Sequence, residues 1–150
     1  MTATEKASVA FSAEERAAMR EHSQELKTAA RRGAKASKAD GESDVLAKLA
    51  EMSDFDRTLG ERVHALVKAA APELIPKLWY GMPAYADATG KIVCFYQCSD
   101  KFKARYATFG FNDVAQLDDG AMWPTAYSLT GEMTAADDAR LSELVRRALG

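Results

Sequence analysis

Large apolar side chains are concentrated in one third of this chain. Eleven of its thirteen aromatic residues lie between Trp79 and Tyr127, and the other two are Phe11 and Phe55. Aromatic side chains bury large areas and therefore dominate the cores in which they occur. Ligand pockets are lined by the same kind of side chain together with a few polar groups. We therefore predict that the core and any pocket are built mainly from residues 79–127.

The chain begins with a weakly amphipathic helical segment. Helix formers occupy residues 13–32, and Ser12 with Glu15 can form a capping box at their start. Met19 and Leu26 are the only large apolar residues in this segment. A helix with so little apolar surface gains little from packing, so we expect it to lie on the surface of the core or to project from it.

A basic stretch follows the first helix. Five basic residues and no acidic residue lie between Lys27 and Lys38, and Asp-Gly-Glu-Ser at 40–43 interrupts the helical pattern, which indicates a linker. A solvated connector and a phosphate-contacting arm both fit this stretch, although it offers no aromatic side chain for base stacking. The predicted organisation is an N-terminal helix and basic linker extension over residues 1–43, and one α+β domain over residues 44–150.

Further helices are predicted on both sides of the aromatic region. Residues 45–52 form a short helix, and residues 54–71 carry the strongest amphipathic pattern in the chain. His64 lies beside the apolar stripe of that helix, and we expect it at the surface or at the boundary of the core. Residues 72–78 predict a short helix that begins with a proline. Thr134 with Asp137 can cap a final helix.

Strand patterns fill the region between these helices, at residues 80–86, 91–98, 105–111 and 126–129. Gly81 and Pro83 suit an edge or bulged strand, whereas 91–98 is apolar on both faces and should be central. Residues 87–90 predict a hairpin turn, and a short helix is expected from Asn112 or Asp113 through Leu117. Strands grouped between helices and joined by short turns indicate an α+β fold with an antiparallel sheet.

Composition and motifs exclude several classes of function. A net charge of −2 argues against general nucleic-acid binding. The chain has no apolar run of about 18 residues, and residues 1–10 have no apolar stretch typical of a signal peptide, so we expect a cytoplasmic protein with no membrane partner. GxGxxG, P-loop, HExxH, CxxC and nucleophile-elbow motifs are absent. With His22 and His64 as the only histidines, no catalytic pair can be named, and we do not expect an enzyme.

The two cysteines, Cys94 and Cys98, lie in or next to a predicted strand. A spacing of four residues in a strand places them roughly 13 Å apart, which is too far for a mutual disulfide. Two interpretations fit the cysteines. They are either small apolar residues buried in the core, or they have a metal-binding or redox role.

A candidate ligand site lies at the start of the strand region. Gly81 allows the backbone to turn or to be approached closely, and Tyr80, Met82 and Tyr85 can either line a groove or fill the core of a curled sheet. On a strand, Lys101, Lys103 and Arg105 would share one face. That face would bind an anion, or would protect an edge strand from aggregation. The candidate ligand-binding residues are Tyr80, Met82, Pro83, Tyr85, Phe95, Lys101, Lys103, Arg105 and Trp123.

A candidate metal site is formed by three acids that lie close in sequence, namely Asp113, Asp118 and Asp119, of which helix capping does not explain the last two. Carboxylate oxygens suit hard or borderline cations such as Fe²⁺. The alternative interpretation is that Asp118 and Asp119 belong to a turn.

Residues from about 50 to 149 resemble the YdhG-like family of domains of unknown function. The resemblance rests on Trp79-Tyr80-Gly81-Met82-Pro83-Ala84-Tyr85 and Gly90-Lys91-Ile92-Val93-Cys94-Phe95-Tyr96, with support from Lys101-Phe102-Lys103, from Tyr106-Ala107-Thr108-Phe109-Gly110-Phe111 and from the closing helix. It implies a curled antiparallel sheet of about four or five strands flanked by helices, here with an extra N-terminal helix. Relatives often carry a histidine near 101–106, which this sequence lacks.

Two functions are therefore expected. Some relatives in the family that the chain resembles are described as frataxin-like iron chaperones, which implies weak Fe²⁺ binding and partners in iron–sulfur or haem assembly. The alternative is a module that binds a small anionic ligand or a peptide through the aromatic groove and the cationic strand. A second copy of the chain, forming a homodimer, is a further candidate partner.

Overall fold

The computed structural model describes residues 11–32 and 38–150 of the chain, and the predictions made for residues 1–10 and 33–37 lie outside this part. Its helices are α1 (Ala13–Arg32), α2 (Lys38–Ala50), α3 (Asp54–Ala70) and α4 (Ala135–Ala148). Its strands are β1 (Ile75–Trp79), β2 (Met82–Ala86), β3 (Ile92–Gln97), β4 (Ala107–Phe111) and β5 (Ala126–Leu129). None of the described helices is both long and apolar enough to cross a membrane.

The five strands form one open antiparallel sheet in the order β1-β2-β3-β4-β5. Each strand therefore pairs with its neighbours in sequence, as the short predicted turns indicated. The register shifts between Tyr85 and Ala86, which marks an irregularity in the pairing of β2 with β3. The predicted α+β fold with an antiparallel sheet and an N-terminal helix is confirmed.

The core lies between one face of the sheet and helices α3 and α4. The largest fully buried side chains include Tyr85, Tyr96 and Phe109 from three neighbouring strands. They belong to one cluster with Val63 of α3 and Val145 of α4. Fully burying an apolar side chain of this size contributes roughly 1.5–3 kcal/mol, so these contacts dominate the stability. The aromatic region supplies the largest of these side chains but fewer than half of the residues in the cluster, so the prediction that residues 79–127 build most of the core holds only for its largest side chains.

Three predicted helix starts are also confirmed. Ser12 accepts a hydrogen bond from the backbone of Glu15, and Ser53 caps α3. Thr134 and Asp137 form a complete capping box at α4, with each side chain bonded to the other's backbone. The backbone bond from Thr134 is the main cause of the lowered pKa of Asp137.

Helix α2 replaces part of the predicted linker. It begins at Lys38, so the run 40–43 is helical and the prediction of a break there is wrong. A Cβ on Gly41 would lie 2.0 Å from the carbonyl oxygen of Pro76, which shows that α2 packs directly on the backbone of β1. Gly41 therefore permits close contact instead of ending a helix. The domain division between residues 43 and 44 stays a prediction.

One further prediction in this region is wrong. The short helix expected at residues 72–78 is largely strand β1, because Ile75, Leu78 and their neighbours pair along the whole of β2. Pro76 is tolerated because β1 is an edge strand. Strand β2 was expected to be an edge or a bulged strand. It lies between β1 and β3, so it is not an edge, and the register shift after Tyr85 fits the bulged alternative.

The hairpin at residues 87–90 is confirmed, with Asp87 accepting three hydrogen bonds from Thr89 and Lys91. The short helix expected at residues 112–117 is wrong, because that segment is a turn and irregular chain. It is instead fixed by backbone bonds across the fold, from Asn112 to Val93 and from Gln116 to Ala148.

We predict that Gly41→Ala will lower the free energy of unfolding by about 2 kcal/mol, because the new methyl group overlaps the Pro76 backbone. Urea unfolding of the full chain measures this. Gly131→Ala is the matched control, since its Cβ would have its nearest contact 3.7 Å away at Phe55 and its effect should stay within about 0.5 kcal/mol. Equal stability of the two variants would show that α2 does not require this close packing.

Candidate functional site

The structure does not bring the predicted ligand-binding residues together. Met82, Pro83 and Tyr85 are buried in the sheet and its core, so they do not form the wall of an open groove. Phe95 lies on the other face of the sheet, over Gly110, with its ring 5.4 Å from that of Trp79. The interpretation that these aromatic residues fill the sheet therefore fits better than the groove.

The cationic strand is also absent. Lys101 lies in a 3₁₀ helix (Asp100–Phe102), Lys103 follows with a left-handed φ of 57°, and β4 begins only at Ala107. The prediction that Lys101, Lys103 and Arg105 share one strand face is wrong. Arg105 instead lies 5.2 Å from the ring of Tyr106.

The predicted metal ligands are only partly close to one another. Asp113 and Asp118 line a cavity of about 480 Å³ together with Trp123, whereas Asp119 is exposed and is not part of its lining. Across residues 11–32 and 38–150, no group of three or more His, Cys, Asp or Glu side chains is arranged to hold a metal ion. The predicted trio therefore offers no formed cage, and iron binding stays a prediction.

A different site is formed at the turn between β1 and β2. This turn consists of Tyr80 and Gly81, whose φ angles of 51° and 76° are both left-handed. Its two N–H groups donate to one carboxylate, that of Glu25 on α1, with a distance of 2.8 Å from Tyr80. Successive backbone amides in such a turn form a concave anion-binding site. The turn thus holds a carboxylate through two charge-assisted hydrogen bonds.

A second carboxylate lies over the same turn. Glu21 is one helical turn before Glu25, and its Oε2 is 2.8 Å from the amine of Lys101. A Cβ on Gly81 would lie only 1.4 Å from that oxygen, so any larger residue would displace the Glu21 side chain, and the left-handed φ independently favours glycine. Lys48 of α2 lies 3.5 Å from the other oxygen of Glu21. The predicted close approach at Gly81 is confirmed.

His22 completes the contact between α1 and the turn. Its ring stacks on that of Tyr80, with centroids 3.9 Å apart and planes inclined by 11°. The face of α1 that carries Glu21, His22 and Glu25 is therefore matched to the turn by shape and by charge. The i, i+4 spacing of the two glutamates, which places them on one helix face, is the only sequence feature that could have revealed this site.

A cavity of about 460 Å³ extends from the turn between α1, α2 and β1. All five residues of β1 line it, together with Leu26 and Ala29 of α1, and both Glu25 and Gly81 border it. Arg32 and Asp44 also line it, and they are joined by two hydrogen bonds of 2.6 and 3.1 Å that hold the pKa of Arg32 above its ordinary value. The cavity therefore has the anion site and an arginine–aspartate pair on its border.

Asp56 holds the 3₁₀ helix that carries Lys101. It is fully buried near the start of α3 and accepts hydrogen bonds from the backbone of Ser99 at 2.7 Å and of Asp100 at 3.1 Å. The hydroxyl of Tyr96 donates to its carbonyl oxygen at 2.8 Å. These bonds end β3 and turn the chain so that Lys101 faces α1, with only 10 % of its side chain exposed.

His64 is buried, and the prediction that it lies at the surface or boundary is wrong. Its ring bonds the hydroxyl of Tyr85 on one side and Glu42 of α2 on the other. Hydrogen bonds from Lys68 and from His64 to its carboxylate lower the pKa of Glu42. Burial raises the pKa of the Tyr85 hydroxyl. Tyr85 is 1 % and His64 6 % exposed, so these two groups are inaccessible to a substrate, and with Glu42 they link α2, α3 and β2 structurally.

The cysteines are both free thiols. Cys94 is buried opposite Tyr85 in the sheet, and Cys98 is half-buried beside Lys101. Burial raises the pKa of both thiols, which disfavours the reactive thiolate. The interpretation as small apolar residues therefore fits better than a redox role.

No match to this chain was found among known protein families, curated proteins or solved structures. Its resemblance to the YdhG-like family therefore stays a prediction, and function has to be inferred from the geometry.

We predict that Glu42→Gln will lower the free energy of unfolding at pH 7, and that the loss will shrink in acid. Folding lowers the pKa of Glu42, so its stabilisation is present above the unfolded value of about 4.3 and is lost as the pH falls through the folded value. Urea unfolding at pH 7, 5 and about 3 measures the difference from the original chain. Glu73→Gln, which changes an exposed carboxyl after α3, is the control. A loss that is independent of pH would contradict the expectation.

Proposed function

We propose that this protein is a binding module that recognises a carboxylate, and that α1 supplies the carboxylate when no other ligand is bound. The observation that carries the proposal is the binding of one Glu25 carboxylate by both amides of the Tyr80–Gly81 turn. This keeps the anionic-ligand hypothesis but moves it from the aromatic groove and cationic strand to the turn. Of the predicted ligand-binding residues, Tyr80 takes part through its backbone amide and Lys101 through its amine.

The turn is preorganised for an anion. Both of its residues are already in the left-handed region, and the antiparallel pairing of Trp79 with Met82 closes the hairpin around them. A ligand therefore meets donors that need no rearrangement, which lowers the entropic cost of binding. A hydrogen bond to a charged group contributes roughly 1.5–3 kcal/mol, so two such bonds correspond to about millimolar affinity before any other contact is added.

Two lysines strengthen the preference for a negative charge. The amine of Lys101 is largely shielded from water by the elements around it, and Lys48 approaches the same carboxylate of Glu21 from α2. Shielded charges interact more strongly than exposed ones because less water screens them. The turn offers its two amides to the Glu25 carboxylate, and both amines lie nearby on Glu21, so a carboxylate or a related anion fits the turn and a cation does not.

Helix α1 acts as an internal competitor. Its carboxylates are part of the same chain, so they occupy the site at a high effective concentration. Glu25 is not the only link, however, because Glu21, His22 and Arg32 also attach α1 to the rest of the protein. An external carboxylate can therefore replace Glu25 at the turn while α1 stays in place.

Ferrous-iron binding, partners in iron–sulfur or haem assembly, a cytoplasmic location and membership of the YdhG-like family all stay predictions. No contact between the described residues favours the iron hypothesis over the carboxylate hypothesis. An anaerobic titration with Fe²⁺, with Mg²⁺ as control, tests it separately.

We predict that acetate will bind at the turn once Glu25 is removed. In ¹⁵N NMR spectra of the full-length Glu25→Ala variant, acetate should shift the amide signals of Tyr80 and Gly81 saturably, at concentrations of the order of 1 mM. The control is Glu15→Ala, which removes a carboxylate from the same helix but not from the turn. In this variant, the same shifts of the Tyr80 and Gly81 signals should require far more acetate.

Two internal controls make the result specific. The amide of Gly90 belongs to another left-handed turn but already donates to Asp87, so its signal should not move. Neutral acetamide should leave Tyr80 and Gly81 unchanged, because the site requires a charge. The proposed function would be refuted if acetate left the Tyr80 and Gly81 amide signals of the Glu25→Ala variant unchanged, or if acetamide shifted them equally.

A further inference from the structure

We propose that the ligand is a small amphipathic carboxylic acid, whose carboxylate replaces that of Glu25 at the turn and whose apolar body fills the adjoining cavity. This inference rests on the proposed function and names the class of ligand for the same site. The carboxylate subsite and the cavity are continuous, because Glu25 and Gly81 contribute to both.

Part of the cavity lining is apolar. The apolar residues that contribute to it come from α1 and β1, namely Leu26, Ala29, Ile75, Pro76, Leu78 and Trp79. Its volume of about 460 Å³ lies within the range of about 300–1,000 Å³ that is usual for small-ligand pockets. Apolar surface in such a cavity gains free energy when an apolar group displaces water from it.

The charged groups around the cavity are compatible with an anionic head at the turn. Glu21 is paired with Lys101 and Lys48, and Asp44 is paired with Arg32, so these two acids are compensated. Asp40 also lines the cavity and acts on the same arginine, raising its pKa. The turn amides are donors whose acceptor can leave, since the Glu25 side chain can move while α1 stays attached.

The dimensions of the cavity favour a ligand of medium length. Along α1, the part of the cavity that lies beyond the carboxylate subsite extends from Glu25 to Arg32, which is seven residues or roughly 10 Å at 1.5 Å per residue. Helix α1 forms one wall and is held at both ends of this stretch, by His22 on Tyr80 and by Arg32 on Asp44. A polypeptide would have to displace that wall, whereas a small acid does not.

Octanoate is a suitable probe. In the full-length Glu25→Ala variant, octanoate should bind at least about 100-fold more tightly than acetate, since each of its six additional methylenes can add up to about fourfold in affinity. Octan-1-ol, which has the same chain without the charge, should bind at least tenfold more weakly than octanoate. Calorimetry gives the affinities, and the Tyr80 and Gly81 amide signals locate the carboxylate.

Variants that fill the cavity test the apolar subsite separately from the carboxylate subsite. Adding Ala29→Phe to the Glu25→Ala variant should weaken octanoate at least tenfold while acetate still shifts the turn amides. Ala30→Phe adds the same ring to the neighbouring exposed position, which does not line the cavity, and should leave octanoate binding unchanged. Thr28→Phe is a second filling variant if Ala29→Phe does not fold.

The outcomes distinguish the two proposals. If acetate shifts the turn amides but octanoate binds no more tightly, or if both filling variants leave octanoate binding unchanged, the cavity inference is wrong and the carboxylate site stands. If octanol binds as tightly as octanoate, the ligand class is wrong. If neither acid affects Tyr80 and Gly81, the carboxylate site itself is refuted.

Discussion

The two-residue turn at Tyr80 and Gly81 is the constraint on which much of this structure depends. Because both residues are left-handed, β1 returns directly along β2, and this pairing sets the edge of the sheet against which α2 packs. The same backbone geometry presents two N–H groups to Glu25 of α1. One local conformation therefore organises the sheet edge and also forms the strongest anion-binding feature of the described chain.

Buried polar groups determine where the charged residues of the site lie. Asp56 turns the chain after β3 by accepting hydrogen bonds from Ser99 and Asp100, and Lys101 reaches Glu21 as a result. The bonds of His64 to Glu42 and Tyr85 link the helix layer to the sheet in the same way. Buried groups of this kind are stabilising only when they are satisfied, and no buried side-chain polar atom in the described residues lacks a partner.

Sequence patterns predicted those features that depend on interactions between residues close together in the chain. The capping residues, the amphipathic helix α3, the hairpin at 87–90 and the central strand β3 follow from propensity and periodicity over a few residues. The predicted helix break at Gly41 is wrong because the contact that this glycine permits, with the Pro76 carbonyl, lies 35 positions further along the chain. The alternation of cations at 101–105 resembled a strand, but Asp56, 43 positions before Ser99, turns that segment. The carboxylate site joins α1 to a turn 55 positions away, so periodicity alone does not reveal it.

The position of α1 beside β1 also bears on how the protein behaves in concentrated solution. An edge strand presents unpaired backbone groups that can recruit a strand from another molecule, and such recruitment starts aggregation. The edge at β5 is only four residues long, whereas β1 lies alongside α1 and α2. Because α1 is attached mainly through ion pairs, a stacked ring and the turn, high ionic strength weakens its hold. The condition that loosens this helix therefore leaves α2 as the remaining cover of β1, and the tendency to self-associate then depends on that packing.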